Sequence, residues 1–160
     1  MSVSKVGLTS FGLLVVPLLV GCPPGNKKVG RFDCSDLATT YFTQPQIAQQ
    51  TEFVRLDLEK QYAVLICGNQ VIHPPAMYLA RSFAGEGERA AAFLRTKLSE
   101  APDDATVRDI VLVFAEMHRQ RTYEVARDTG LMRSISERVN QMSNPEWRRI
   151  TTEMVSEIQR

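Results

Sequence analysis

Few residues in this 160-residue chain are equipped for chemistry: three cysteines at positions 22, 34 and 67, and two histidines, His73 and His118. His73 precedes two prolines and His118 sits in Glu116-Met117-His118-Arg119, so neither has a second ligand at a metal-binding helical spacing. Both read as structural or surface residues, and no metal is expected. A Gly-x-Ser-x-Gly nucleophile elbow, a Walker loop and a dinucleotide fingerprint are all absent from the sequence. Gly85-Glu86-Gly87-Glu88 is half a glycine-rich loop whose acids would repel phosphate, so it reads as a turn. The pairs Asp103/Asp104 and Glu86/Glu88 could do acid/base work only if burial or a charge partner split their pKa values. Their positions favour helix caps and solvated turns, so no catalytic residue is assigned. Arg119, Arg121, Tyr123 and Arg127 form a cationic, partly aromatic run. Glu116, Glu124 and Asp128 are interleaved with it, which favours a salt-bridged exposed face. Because Arg and Tyr are favoured interface anchors, this run is also the candidate protein-contact segment.

The composition, 44% apolar and 23% charged, fits one ordinary domain rather than a disordered chain. Nineteen basic against eighteen acidic side chains leave +1, so no broad field would draw in nucleic acid. The beginning of the chain departs sharply from this average. After Lys5 comes an uncharged apolar stretch, Val6 to Val20, in the order of the n-region and h-region of an export signal. It is about 15 residues long against the ~20 needed to span a bilayer, and it contains Pro17.

The run ends in Leu19-Val20-Gly21-Cys22, which resembles the lipobox of bacterial lipoproteins. The resemblance covers the first 22 residues alone. It implies that Cys22 receives a diacylglyceryl group, that a dedicated signal peptidase removes residues 1–21, and that the new amino terminus can carry an N-acyl chain. No other cofactor is expected. Two or three acyl chains, at roughly 0.8 kcal/mol per buried CH₂, anchor a protein stably where one does not. The alternative is an unmodified Cys22 thiol behind an ordinary signal or an uncleaved anchor. Pro23 rather than Asp follows the cysteine, and in the enterobacterial members of the family this favours the outer over the inner membrane. The implied location is the cell envelope, with the folded domain in the periplasm. Residues 22–32, with Pro23, Pro24, Gly25 and Gly30, read as a lipidated terminus and flexible tether. Lys27 and Lys28 within it are solvated linker positions near the membrane surface.

Once Cys22 is set aside, Cys34 and Cys67 remain as an even pair in a chain with an export signal, so a disulfide is expected. Two buried free thiols are the alternative. Without C-x-x-C or clustered Cys/His spacing, redox and metal roles are disfavoured.

Residues 33–160 show helical rather than strand periodicity, which predicts an all-α domain of about six helices in an antiparallel bundle or a short α-solenoid-like stack. The first long helix is expected from a Thr43/Gln46 capping box to Cys67-Gly68-Asn69, with Ile47, Val54, Leu58, Tyr62, Leu65 and Ile66 inward. After the His73-Pro74-Pro75 break come helices over 76–84 and 88–99. A long helix over 104–128, apolar on most faces, should lie between neighbours, with Gly130 as its interruption. Helices over 131–142 and from Asn144-Pro145-Glu146-Trp147 complete the series. The stretch from Pro75 to Met117 faintly resembles a HEAT-like unit, although no clean repeat period is present.

These residues point to a lipid-anchored envelope protein with a non-enzymatic binding or scaffold role and an envelope protein as partner. A cell-wall-modifying hydrolase and a carrier of an apolar ligand are the alternatives. The three differ in what the fold should present: an exposed apolar or Arg/Tyr patch, converging polar groups in a cleft, or an enclosed apolar cavity.

Overall fold

The computed structural model describes residues 28–160, so the signal segment, Cys22 and the first part of the tether lie outside the described residues. The described chain is mostly helical, as the periodicity predicts. Its helices are α1 (Ser35–Thr39), α2 (Gln46–Phe53), α3 (Leu58–Gln70), α4 (Tyr78–Ala84), α5 (Glu88–Glu100), α6 (Asp104–Gln120), α7 (Thr129–Asn140) and α8 (Pro145–Ile158). A single 3-10 turn, Val125–Arg127, lies between α6 and α7. A two-strand antiparallel hairpin, β1 (Lys28–Val29) with β2 (Phe32–Asp33), occupies part of the expected tether. Phe32 packs edge-on against Tyr62, with ring centroids 5.7 Å apart, so the hairpin is seated on α3.

Cys34 and Cys67 form the expected disulfide, with Cα atoms 5.5 Å apart. It fixes the segment entering α1 to the third turn of α3. That helix continues past Cys67 to Gln70, and its Gly68 is required by close packing. A Cβ there would lie 2.8 Å from the Phe42 ring and 2.9 Å from the Ala76 Cβ.

Two expected helices are each divided. The one predicted from Thr43 to Asn69 breaks at Val54–Asp57, because Asp57 turns its carboxylate onto the Lys60 N–H at 2.9 Å and starts α3. Gln61, wholly buried, holds the corner by donating its amide to the carbonyls of Phe53 at 3.1 Å and Leu56 at 3.2 Å. The expected capping box is not made. Thr43 donates its hydroxyl back to Thr39 and Thr40, and Pro45 precedes the first turn of α2.

The helix predicted over 104–128 stops at Gln120. Arg121 takes φ +57°, in the left-handed region, and the Thr122 N–H bonds the Met117 carbonyl at 3.1 Å. Thr122 also donates its hydroxyl to the Ala84 carbonyl at 2.6 Å, tying this corner to the end of α4. Asp128 then caps α7 through the Leu131 N–H at 2.9 Å, so Gly130 lies inside the first turn of α7 and does not interrupt the helix before it. Start signals at Asp103 and Asn144 are made as read: Asp103 accepts from Thr106 N–H at 2.8 Å, and Asn144 from Glu146 and Trp147, with Pro145 at the first helical position.

Helix α6 is the centre of the packing. It is buried over Val107, Ile110 to Ala115 and Met117, and it contacts α3, α4, α5, α7 and, most extensively, α8. Its burial between neighbours follows from apolar residues on nearly every face.

Candidate functional site

Helix α2, with the residue that ends it, carries two exposed large apolar side chains, Ile47 and Val54. Its inner face is fixed by two residues one turn apart, Gln49 and Phe53, both buried. Phe53 meets Phe83 of α4 edge-on at 5.8 Å. Gln49 donates to the Gln44 carbonyl at 2.7 Å and accepts the Tyr78 hydroxyl, while its own carbonyl accepts the Tyr41 hydroxyl. Burial is the main reason the Tyr41 phenol is pushed above its ordinary pKa, so it stays a neutral donor.

With 49 and 53 pointing inward, helical geometry turns 47, 51 and 54 outward. Ile47 is 75% exposed and Val54 52%, which corrects their expected inward placement. The break after α2 is the cause, because it frees α2 from the register of α3. Met77, the residue before α4, is likewise 53% exposed. Arg81 and Gly85 lie four residues apart beside α2. Ile47, Gln50, Thr51 and Val54 from α2 line one groove with Arg81, Ser82 and Gly85, closed at one end by Gln120. The Gln120 amide donates to the Arg81 carbonyl at 2.9 Å.

The predicted contact run is distributed differently. Arg119 is engaged by Glu157 through two bonds of 2.6 and 2.8 Å and by Glu116, which together raise its pKa further. Tyr123 donates its hydroxyl to Asp128 at 2.5 Å, and that bond pushes its phenol up. Arg127 lies 3.6 Å from Glu124 and is otherwise exposed. Arg121, the left-handed residue closing α6, has no ion-pair partner among the described residues. The run therefore divides into three side chains engaged with the fold's own residues and one that is not.

The carboxylates singled out for acid/base work are committed locally. Asp103 is the α6 cap, and Asp104 accepts three bonds from Ser143 and Asn144, which hold its carboxyl below the usual range. Glu86 pairs with Arg89 at 3.6 Å, while Glu88 opens α5. His73 is exposed and His118 half-buried. Among the described residues, no group of three or more His, Cys, Asp or Glu could hold a metal ion.

One buried carboxylate carries no signal in the sequence. Asp109, 1% exposed, receives Arg108 Nε at 2.9 Å and Gln70 Nε2 at 2.9 Å. Burial pushes its pKa up, and the Arg108 charge opposes that shift. Arg108 is in turn stacked 4.0 Å above the Trp147 ring, so this cluster joins α3, α6 and α8.

A second concavity lies between the hairpin, α3 and the start of α6. Val29, Phe32, Tyr62, Ile66 and Pro102 make a partly open apolar slot of about 260 Å³. Lys97 forms part of its wall, pairing with Glu59 at 2.8 Å and lying 5.0 Å from the Phe93 ring centroid. Burial pushes the Tyr62 phenol up to about 12.

No known protein family, characterised protein or solved structure matches this chain. No helix among the described residues is long and apolar enough to cross a membrane.

Proposed function

We propose that this chain is a lipid-anchored envelope protein whose helical domain binds another protein. The single observation that carries the binding half is the α2 face. Ile47 and Val54 stand one above the other on a helix whose opposite face is fixed by Gln49 and Phe53, and Arg81 of α4 lines the same surface. Scattered apolar side chains need no explanation, but two exposed β-branched residues bordering a groove mark a contact surface. The anchoring half rests on Leu19-Val20-Gly21-Cys22 and the apolar run before it, with the domain in the periplasm and the outer membrane preferred. A disulfide between Cys34 and Cys67 suits that oxidising compartment. Central burial of α6 gives the helical stack the rigidity that a scaffold requires.

The carrier reading draws on the slot beside the hairpin, but about 260 Å³ lies under the ~300–1,000 Å³ of typical ligand pockets and the slot is open to solvent. The hydrolase reading draws on carboxylates that already serve caps and ion pairs. Protein binding is the better-supported role.

In-cell chemical crosslinking followed by purification from envelope fractions tests the proposal. A discrete adduct to a second protein is expected, formed by the wild type and reduced at least about tenfold by Cys22→Ala, which removes the tether that concentrates the domain at the membrane. Recovery of the monomer alone under all crosslinking conditions would refute it.

A further inference from the structure

The buried cluster around Asp109 contains a polar side chain that the fold leaves unpaired, and its chemistry is independent of the protein-binding role proposed above. Asn69, in the last turn of α3, is 5% exposed, yet neither its Nδ2 nor its Oδ1 has a hydrogen-bond partner among the described residues. A buried amide in that state costs stability until something completes it. It lies close enough to the Asp109 carboxyl to lower that group's proton affinity. The carboxyl is itself 1% exposed; one oxygen accepts from Arg108 Nε and the other from Gln70 Nε2, both at 2.9 Å.

The two protonation states of Asp109 ask opposite things of a neighbour. A carboxylate only accepts hydrogen bonds, a carboxylic acid also donates one, and an Asn amide offers N–H on one side and C=O on the other. Because neither end of the Asn69 amide has a partner to lose, turning it over about its Cβ–Cγ bond breaks no hydrogen bond. We infer that Asp109 and Asn69 form a buried proton-binding site, in which the Asn69 amide presents its N–H to the carboxylate and its carbonyl to the acid. The proton comes from solvent and returns to it, with no other covalent bond made or broken. Its uptake neutralises Asp109 and removes the ion pair of Arg108, leaving the guanidinium held by the Trp147 ring at 4.0 Å. A protonation event between α3 and α6 thereby reaches the first turn of α8.

Burial disfavours the charged form of Asp109 and outweighs the opposing Arg108 charge, so its pKa is raised. The other charged and titratable groups of the surrounding elements act elsewhere. On α3 the Tyr62 phenol, pushed up to about 12 by burial, stays neutral. At the start of α6, Asp103 serves as the cap and Asp104 is held below the usual range by Asn144 and Ser143. On α8, Glu146 is held low by Arg149, and Arg148 donates to the Met142 carbonyl. Lys97 of α5 pairs with Glu59, and Glu100 lines the slot beside the hairpin. Arg138 of α7 donates to the Ala101 carbonyl, and Arg81 of α4 lies by Gln120 at the opposite end of α6.

The test is NMR spectroscopy of the isotope-labelled full chain in detergent micelles, from about pH 3 to about pH 8. The Asp109 carboxyl carbon is expected to titrate with a midpoint above the ordinary value of about 3.9. Contacts between the Asn69 Nδ2 protons and the Asp109 β-protons should be present above that midpoint and absent below it. Fluorescence of Trp147, the single tryptophan, should change with the same midpoint, and Asp109→Asn should abolish that change. Arg108→Met, which removes the opposing charge, should raise the midpoint further, by about tenfold or more in proton affinity. A midpoint at or below about 3.9, or one unmoved by Arg108→Met, would overturn the inference. So would Asn69 contacts that are the same on both sides of the midpoint, as a fixed internal water would produce, or a Trp147 signal that ignores the titration. The wild-type measurements stand by themselves if Asp109→Asn does not fold.

Discussion

Asp128 ties three parts of the chain together with one carboxylate. It caps α7 through the Leu131 N–H, accepts the Tyr123 hydroxyl at 2.5 Å and pairs with Arg95 of α5. The Tyr123 bond is the leading reason its carboxyl is held below the usual range. A depressed folded pKa means that its contribution is fully present above the unfolded value of about 3.9 and is lost as pH falls through the folded one. Asp128→Ala is expected to cost about 1–2 kcal/mol at neutral pH through loss of the cap. The mutant's deficit relative to wild type should begin to shrink below about pH 4, where Asp128 of the unfolded chain takes up a proton, and close as the folded carboxyl is protonated at lower pH. Paired thermal melts across pH measure this, and a deficit that grows on acidification would contradict it. The Asn144 cap could be read from sequence because Pro145 and Glu146 stand beside it. Asp128 could not, since Arg95 reaches it from 33 residues away and Tyr123 only after the chain has turned. Asp109 is illegible in the sequence because Gln70 reaches it from 39 residues away, on α3, although Arg108 is its neighbour in the chain.

At the scale of elements, periodicity marks where helix occurs more reliably than where it stops. Apolar spacing continues through Val54 and Leu58, but the Asp57 cap and the buried Gln61 amide turn the chain there. In the same way α6 ends at Arg121 without a glycine, because Thr122 bonds the Met117 carbonyl of its own helix and the Ala84 carbonyl of α4, 38 residues away. These breaks decide the candidate site, since an unbroken helix would have carried Ile47 and Val54 inward. Gly68 tests the packing of α3 against the loop before α4. Helix propensity alone would make Gly68→Ala favourable by about 1 kcal/mol. The 2.9 Å approach of the Ala76 Cβ, which is fixed to the backbone, makes overpacking the larger effect at about 1–3 kcal/mol. Net destabilisation of about 1–2 kcal/mol is therefore expected in denaturant unfolding, whereas a raised midpoint would show that this contact relaxes freely.

At the scale of the whole molecule, the disulfide and the anchor act on different properties. Cys34–Cys67 closes a separation of 33 residues, so its reduction should lower stability by about 3–4 kcal/mol by chain-entropy reasoning. Thermal melts with and without reductant check this, and coincident melts would show that the bridge contributes little. The pairing was legible because an even pair remained after Cys22 was set aside. The all-α class was legible because it depends on many residues at once. The surface between α2 and α4 was not, because it arises where two helices separated by α3 in the chain meet. Removing residues 1–21 would leave 139 residues with 18 basic and 18 acidic side chains, a neutral domain, so under the proposed function placement rests on the lipid at Cys22 rather than on charge. Labelled-palmitate incorporation together with membrane fractionation of wild type and Cys22→Ala is the sharpest check on that placement. A labelled, membrane-bound wild type and an unlabelled variant in the soluble envelope fraction are expected; equal labelling, or equal membrane retention, would rule out the lipid anchor at Cys22.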